Sequence, residues 1–102
     1  MPYIHPETRV VIIEMTFDLT ASFSLKDKRR IRQRLIERLK NHYNISVIES
    51  AGQDDYRRLD LTAAYVAINE STAEIMIERI EETVLDLTES EAELREFYTE
   101  TV

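Results

Sequence analysis

The chain has no cysteine, no tryptophan, one glycine and two prolines in 102 residues. Without thiols there is no disulfide framework, no thiolate nucleophile and no cysteine-based zinc site. A single glycine, Gly52, excludes the glycine-rich loops that cradle phosphates. The apolar runs, Val10 to Ile13 among them, stop far short of the roughly 20 residues a membrane-spanning helix needs, so no membrane association is expected. The opening MPYIHPET lacks the basic start and long apolar stretch of a secretory signal, which predicts a cytoplasmic location. The sequons Asn44-Ile45-Ser46 and Asn69-Glu70-Ser71 then read as structural junctions rather than glycosylation sites. His5 and His42 are isolated, no zinc spacing and no Ser-His-acid pattern is present, and the paired Asp54 and Asp55 are neighbours in sequence, a poor arrangement for acid/base work. The expectation is a protein without metal or cofactor, and not an enzyme.

What the chain does have is charge, unevenly placed. Eight of its thirteen Lys and Arg residues lie between Lys26 and Lys40, giving that stretch +6 in a protein of net charge -7 and leaving -13 for the rest. From Glu70 onward there are eleven acids against Arg79 and Arg95. The protein is a charge dipole, and its overall acidity hides the basic pole.

Length predicts one domain with one core, over 9–102, preceded by a flexible leader over 1–8. RVVIIEMTFDL, Arg9 to Leu19, alternates Val11, Ile13, Met15, Phe17 and Leu19 against Val10, Ile12 and polar residues, the period of a half-buried strand. Ser24 and Asp27 form a capping-box-like helix start. From there to about Tyr43, Leu25, Ile31, Leu35, Ile36, Leu39 and Tyr43 share one side, while Lys26, Arg29, Arg30, Arg34, Arg38 and Lys40 fan over the other. Lys28 and Arg32 fall inside the apolar arc, where an aliphatic stem can lie on the core and the head can reach a carboxylate.

Ile45 to Ser50 suggests a short second strand, and AGQDDYRR a turn around Gly52. Arg58 to Ile68 restores alternation, with Leu59, Leu61, Ala63, Tyr65 and Ala67 on one face. Ser71-Thr72-Ala73-Glu74 reads as a second capping box, followed by an apolar stripe of Ala73, Ile77, Ile80, Val84 and Leu87. Most of the segment from Ala92 to Val102 reads as a fourth strand.

The order strand, helix, strand, strand, helix, strand predicts an α+β fold, the ferredoxin-like split βαβ arrangement (βαββαβ), with two helices on one face of a four-stranded antiparallel-type sheet. Val10, Ile12, Ala64, Val66 and Ile68 would then be apolar on the open face, which predicts a homodimer through the sheet unless the leader covers them.

Three stretches together, SLKDKRR, NISVIES and GQDDYRRLDLTAAYVA, resemble the YlxP-like bacterial proteins, a domain of unknown function (family 503). The resemblance covers about residues 9 to 88. Tyr56 stands where that family usually has Trp, and Arg57 where Gln is common. The resemblance implies a ferredoxin-like fold. Members are often encoded among transcription-termination, translation-initiation and ribosome-maturation factors, which implies RNA or ribosome work for the basic helix.

Two candidate sites follow. The basic face of the first helix can track a phosphate backbone, since Arg forks onto phosphate oxygens; the bland reading is a solvated helix, or a face that meets an acidic partner. In the turn, Tyr56 beside Arg57 and Arg58 can stack a base and clamp a phosphate. The adjacent carboxylates of Asp54 and Asp55 look like turn chemistry, and Asp54 is a candidate to hold Arg58 or Lys28. The sequence thus predicts a non-catalytic accessory protein associated with RNA or a ribosomal particle. The alternative is a dimeric regulatory or scaffold domain that meets proteins through its open sheet face or its charged poles.

Overall fold

The structure is a computed structural model that describes residues 5–88 and 90–102. Six elements follow in the expected order: β1 (Arg9–Asp18), α1 (Leu25–His42), β2 (Ser46–Ala51), β3 (Arg58–Ala67), α2 (Glu70–Thr88) and β4 (Glu93–Thr101). The strands form one sheet in the order β2-β3-β1-β4, with every neighbouring pair antiparallel. This is the ferredoxin-like α+β topology. Of the leader expected over 1–8, residues 1–4 lie outside the described residues. From His5 the chain turns, the Thr8 amide bonding the His5 carbonyl at 3.1 Å and the Arg9 guanidinium donating to the Pro6 carbonyl at 2.9 Å.

Alternation in the two central strands decides which face meets the helices. Val11, Ile13, Met15, Phe17 and Leu19 from the β1 side, and Leu59, Leu61, Ala63, Tyr65 and Ala67 from β3, are buried together. The register places Ile13 opposite the small Ala63 and Met15 opposite Leu61. Each fully buried aliphatic or aromatic side chain here contributes about 1.5–3 kcal/mol relative to leaving it in water. Helix α1 closes this face with Ile31, Leu35 and Leu39, and α2 with Ala73, Ile80 and Val84. The helices also touch each other, where the Tyr43 hydroxyl meets Thr83 Oγ1 at 2.6 Å.

Both helices begin on side-chain caps. Ser24 Oγ accepts from the Asp27 amide at 3.1 Å, and the Asp27 carboxylate reaches back to the Phe23 amide at 2.9 Å, one residue earlier than in a strict capping box. At α2 the expectation is corrected. Ser71 lies inside the helix, and Asn69 is the cap, its Oδ1 accepting from the Thr72 amide at 2.8 Å. Asn competes well with Ser at this position, and the sequence offered both.

Candidate nucleic-acid interface

Helix α1 sorts its eight cations into three groups by what the rest of the fold places beside each. Lys28 points into the protein and is 1% exposed. Its ammonium donates to the carbonyls of Gly52 at 2.6 Å and Asp55 at 2.8 Å, and pairs with Glu49 Oε2 at 2.8 Å. Two ammonium protons thus serve backbone carbonyls, while the charge lies against the Glu49 carboxylate. Arg32, one turn on, pairs with the other Glu49 oxygen at 2.6 Å. Burial alone would push the Glu49 carboxyl up, but the bonds from Lys28 and Arg32 outweigh it and hold its pKa below the ordinary value.

The second group faces the α2–β4 connection. Arg30 approaches Glu91 Oε1 at 3.5 Å, and Arg34 pairs with Glu91 Oε2. Beside this pair, Ile31, Leu35, Leu87 and Ala92 floor a cavity of about 310 Å³ with Arg34, Arg38 and Asp86 at its walls. The third group is Lys26, Arg29, Arg38 and Lys40, exposed and, among the described residues, without an ion-pair partner. Between Arg29 and Lys40 the outward ridge is bridged by Gln33, which donates to Glu37 at 2.9 Å. The six cations expected on the outward face, Lys26, Arg29, Arg30, Arg34, Arg38 and Lys40, are all exposed, but they are not equally free of partners. Arg30 and Arg34 pair with Glu91 at the surface, and the cations without an ion-pair partner lie toward the two ends of the helix.

The turn between β2 and β3 is built around Gly52 at φ +67°, a left-handed conformation that side chains strain. A Cβ there would also come within 3.2 Å of Asp60 Oδ2. Asp55 carries the turn chemistry, its carboxylate accepting from the Arg57 amide at 3.0 Å. Neither Arg58 nor Lys28 is held by Asp54. Glu49 holds Lys28, and Arg58 forks onto Asp60 at 2.9 and 3.1 Å, with the Thr16 hydroxyl donating to the same carboxylate at 2.9 Å. Burial works against the Asp60 charge, yet the Arg58 and Thr16 bonds keep its pKa below the ordinary value. Arg58 is thus tied to the open sheet face, whereas Arg57 stays exposed with its guanidinium 5.6 Å from the centre of the Tyr56 ring.

Two stretches that the sequence presents as separate candidates are joined here. Because Lys28 grips the carbonyls of Gly52 and Asp55, the turn carrying Tyr56 and Arg57 is held against the inward side of the N-terminal end of α1, the end whose outward side carries Lys26 and Arg29. Sequence reasoning missed Glu49, although a signal existed: Glu49 shares its strand parity with Ile45 and Val47, facing the side from which Lys28 and Arg32 approach. For Glu91, in a connecting turn, no such signal exists.

The chain belongs to the family described as "Protein of unknown function (DUF503)", whose model matches residues 10–97. A search among curated proteins gave no match. Among solved structures the chain is similar to a protein described as "De novo designed protein Foldit4", at 20% identity and a TM-score of 0.55, over 94% of this chain and 97% of that one. That likeness concerns the fold alone.

Proposed function

We propose that this protein is a non-catalytic accessory factor that binds RNA, free or within ribosomal particles, through the N-terminal half of α1 and the β2–β3 turn. The observation that carries the reading is the Lys28 clip, which ties the turn carrying Tyr56 and Arg57 to α1, the helix whose N-terminal end also carries the exposed Lys26 and Arg29. Unpaired cations supply the phosphate contacts, and the second face of Tyr56 is a stacking platform for an unpaired base. The partner class is accordingly single-stranded RNA, in loops or bulges, rather than a regular duplex whose deep groove hides its bases.

Co-sedimentation with bare ribosomal RNA and ribosomal subunits across a salt series tests this. Engaging about three phosphates of a single strand gives a log–log salt slope near about -2. The variant combining Lys26→Glu, Arg29→Glu and Tyr56→Ala is expected to lose binding while keeping its fold, because none of the three side chains holds an ion pair in the protein. Absence of binding by the native chain at low salt refutes the reading.

A further inference from the structure

The sheet face turned away from the helices carries a pattern that complements itself. Reading across β2-β3-β1-β4, one row is Ser46, Ala64, Ile12, Glu100, and the next is Ile48, Thr62, Glu14, Tyr98. Beyond the first row lie Val66 and Val10, with Val102 bonded to Val10 on the far side. Beyond the second lie Asp60 and Thr16, then Arg58 and Asp18. One end of the face is therefore apolar, and the other is charged. Val66 and Ile68 are 71% and 75% exposed, and Ile48 and Tyr98 are 61% and 63% exposed.

We propose that a second copy of this chain covers this face, related by a two-fold axis that runs parallel to the strands between β1 and β3. Rotation about that axis keeps every row at its own level, lays β4 of one copy on β2 of the other, and lays β1 on β3. Each residue then meets the one at the mirrored place in its own row. Val10 meets Val66, Ile12 meets Ala64, Tyr98 meets Ile48, and Glu100 meets the Ser46 hydroxyl. At the charged end Glu14 meets Thr62, Thr16 meets Asp60, and Asp18 meets Arg58. No two like charges face each other, and each contact occurs twice, as an isologous interface requires. The other in-plane two-fold axis, across the strands, would lay the Val66 row on Asp60 and desolvate its carboxylate against valine.

Packed sheets keep their strand directions within about 30°, so the match is closest in the central rows and loosens at the ends. With four strands about 4.8 Å apart and ten residues rising about 3.3 Å each, the face offers on the order of 600 Å² before side-chain relief. Stable interfaces bury about 800 Å² per partner, which this face approaches. Both α1 helices stay on the outside of such a dimer, so the inference stands apart from the RNA reading.

Sedimentation equilibrium between about 1 and 100 μM, the range in which moderate self-association is resolved, is expected to show a dimer for the native chain. Val66→Glu is expected to raise the dissociation constant on the order of 100-fold by placing a carboxylate against Val10 of the other copy. Its circular dichroism should be unchanged, since Val66 is largely exposed in the single chain. The absence of native cysteine allows the axis itself to be read. Ser46 and Glu100 sit on opposite edges of one sheet, about 14 Å apart by strand spacing, beyond disulfide reach within a chain. With a short bis-maleimide, which spans the roughly 10 Å between packed sheets that a disulfide cannot, Ser46→Cys mixed with Glu100→Cys is expected to form a covalent dimer faster than either variant alone. A monomer throughout the concentration range overturns the proposal. So does a dimer indifferent to Val66→Glu, or one in which each single-cysteine variant couples to itself as fast as the mixture does.

Discussion

Helices α1 and α2 are nearly the same length, 18 and 19 residues, and cover the same face of one sheet, yet they are seated by different chemistry. Helix α2 rests on Ala73, Ile80 and Val84 and is pinned by hydroxyls, that of Tyr65 donating to the Ala73 carbonyl at 2.7 Å. Burial pushes the Tyr65 phenol up to about 12, so it remains a donor at any ordinary pH. Among the described residues, none of the charged side chains of α2 has an ion-pair partner. Helix α1 instead uses half of its eight cations to bind the rest of the protein, through Glu49 at one flank and Glu91 at the other. A high density of one charge on a helix is thus no measure of the charge available to a partner. What remains depends on which carboxylates the fold brings alongside.

The comparison breaks most sharply at Lys28. Lys28→Met keeps the apolar stem but leaves the Gly52 and Asp55 carbonyls without their donor and Glu49 with only Arg32, and is expected to cost about 3–5 kcal/mol in urea unfolding. It should also release the turn, seen as faster amide exchange over 52–57. No single charge substitution on the outward face of α2 should approach this, since surface changes stay within about 0.5 kcal/mol.

A second difference lies in acid. The folded pKa of Glu49 lies below the ordinary glutamate value of 4.5. The unfolded chain therefore binds more protons in that window, so the stabilisation is complete above about pH 4.5 and is lost as pH falls through the folded pKa. Stability followed by denaturant midpoint from pH 6 down to pH 3 (about the span over which carboxylates protonate) should fall less steeply in Glu49→Gln than in the native chain. Asp60, held in the same sense by Arg58 and Thr16, contributes a parallel loss in both proteins.

The smallest expected effect is where the helices are alike. Ser24→Ala and Asn69→Ala each remove one cap and should each cost about 1 kcal/mol, read as similar shifts in thermal midpoint. A cost at Ser71→Ala equal to that at Asn69→Ala would contradict the observed cap.

Much of this was legible in the residues because it depends on short-range periodicity. The alternation of Val11 to Leu19 and Leu59 to Ala67 marked both central strands and their buried faces. The spacing of Ile31, Leu35 and Leu39 marked the seat of α1. Ser24 signalled its start, whereas at α2 two adjacent capping residues competed and periodicity could not choose between them. The site was less legible. Tyr56, Arg57 and the cations of α1 stand out as residue types, but their mutual placement does not, because it passes through Lys28 to backbone carbonyls 24 and 27 residues away.

By itself, then, the sequence determined the order of the elements, the face each turns to the core, and the concentration of positive charge on α1, since each follows from which neighbours along the chain are apolar, charged or able to cap. Only the tertiary structure decided that Glu49 and Glu91 between them engage four of that helix's eight cations, that Arg58 belongs to Asp60, and that the turn lies against α1. Those outcomes join residues distant in the chain, and a charge chooses its partner by distance in space.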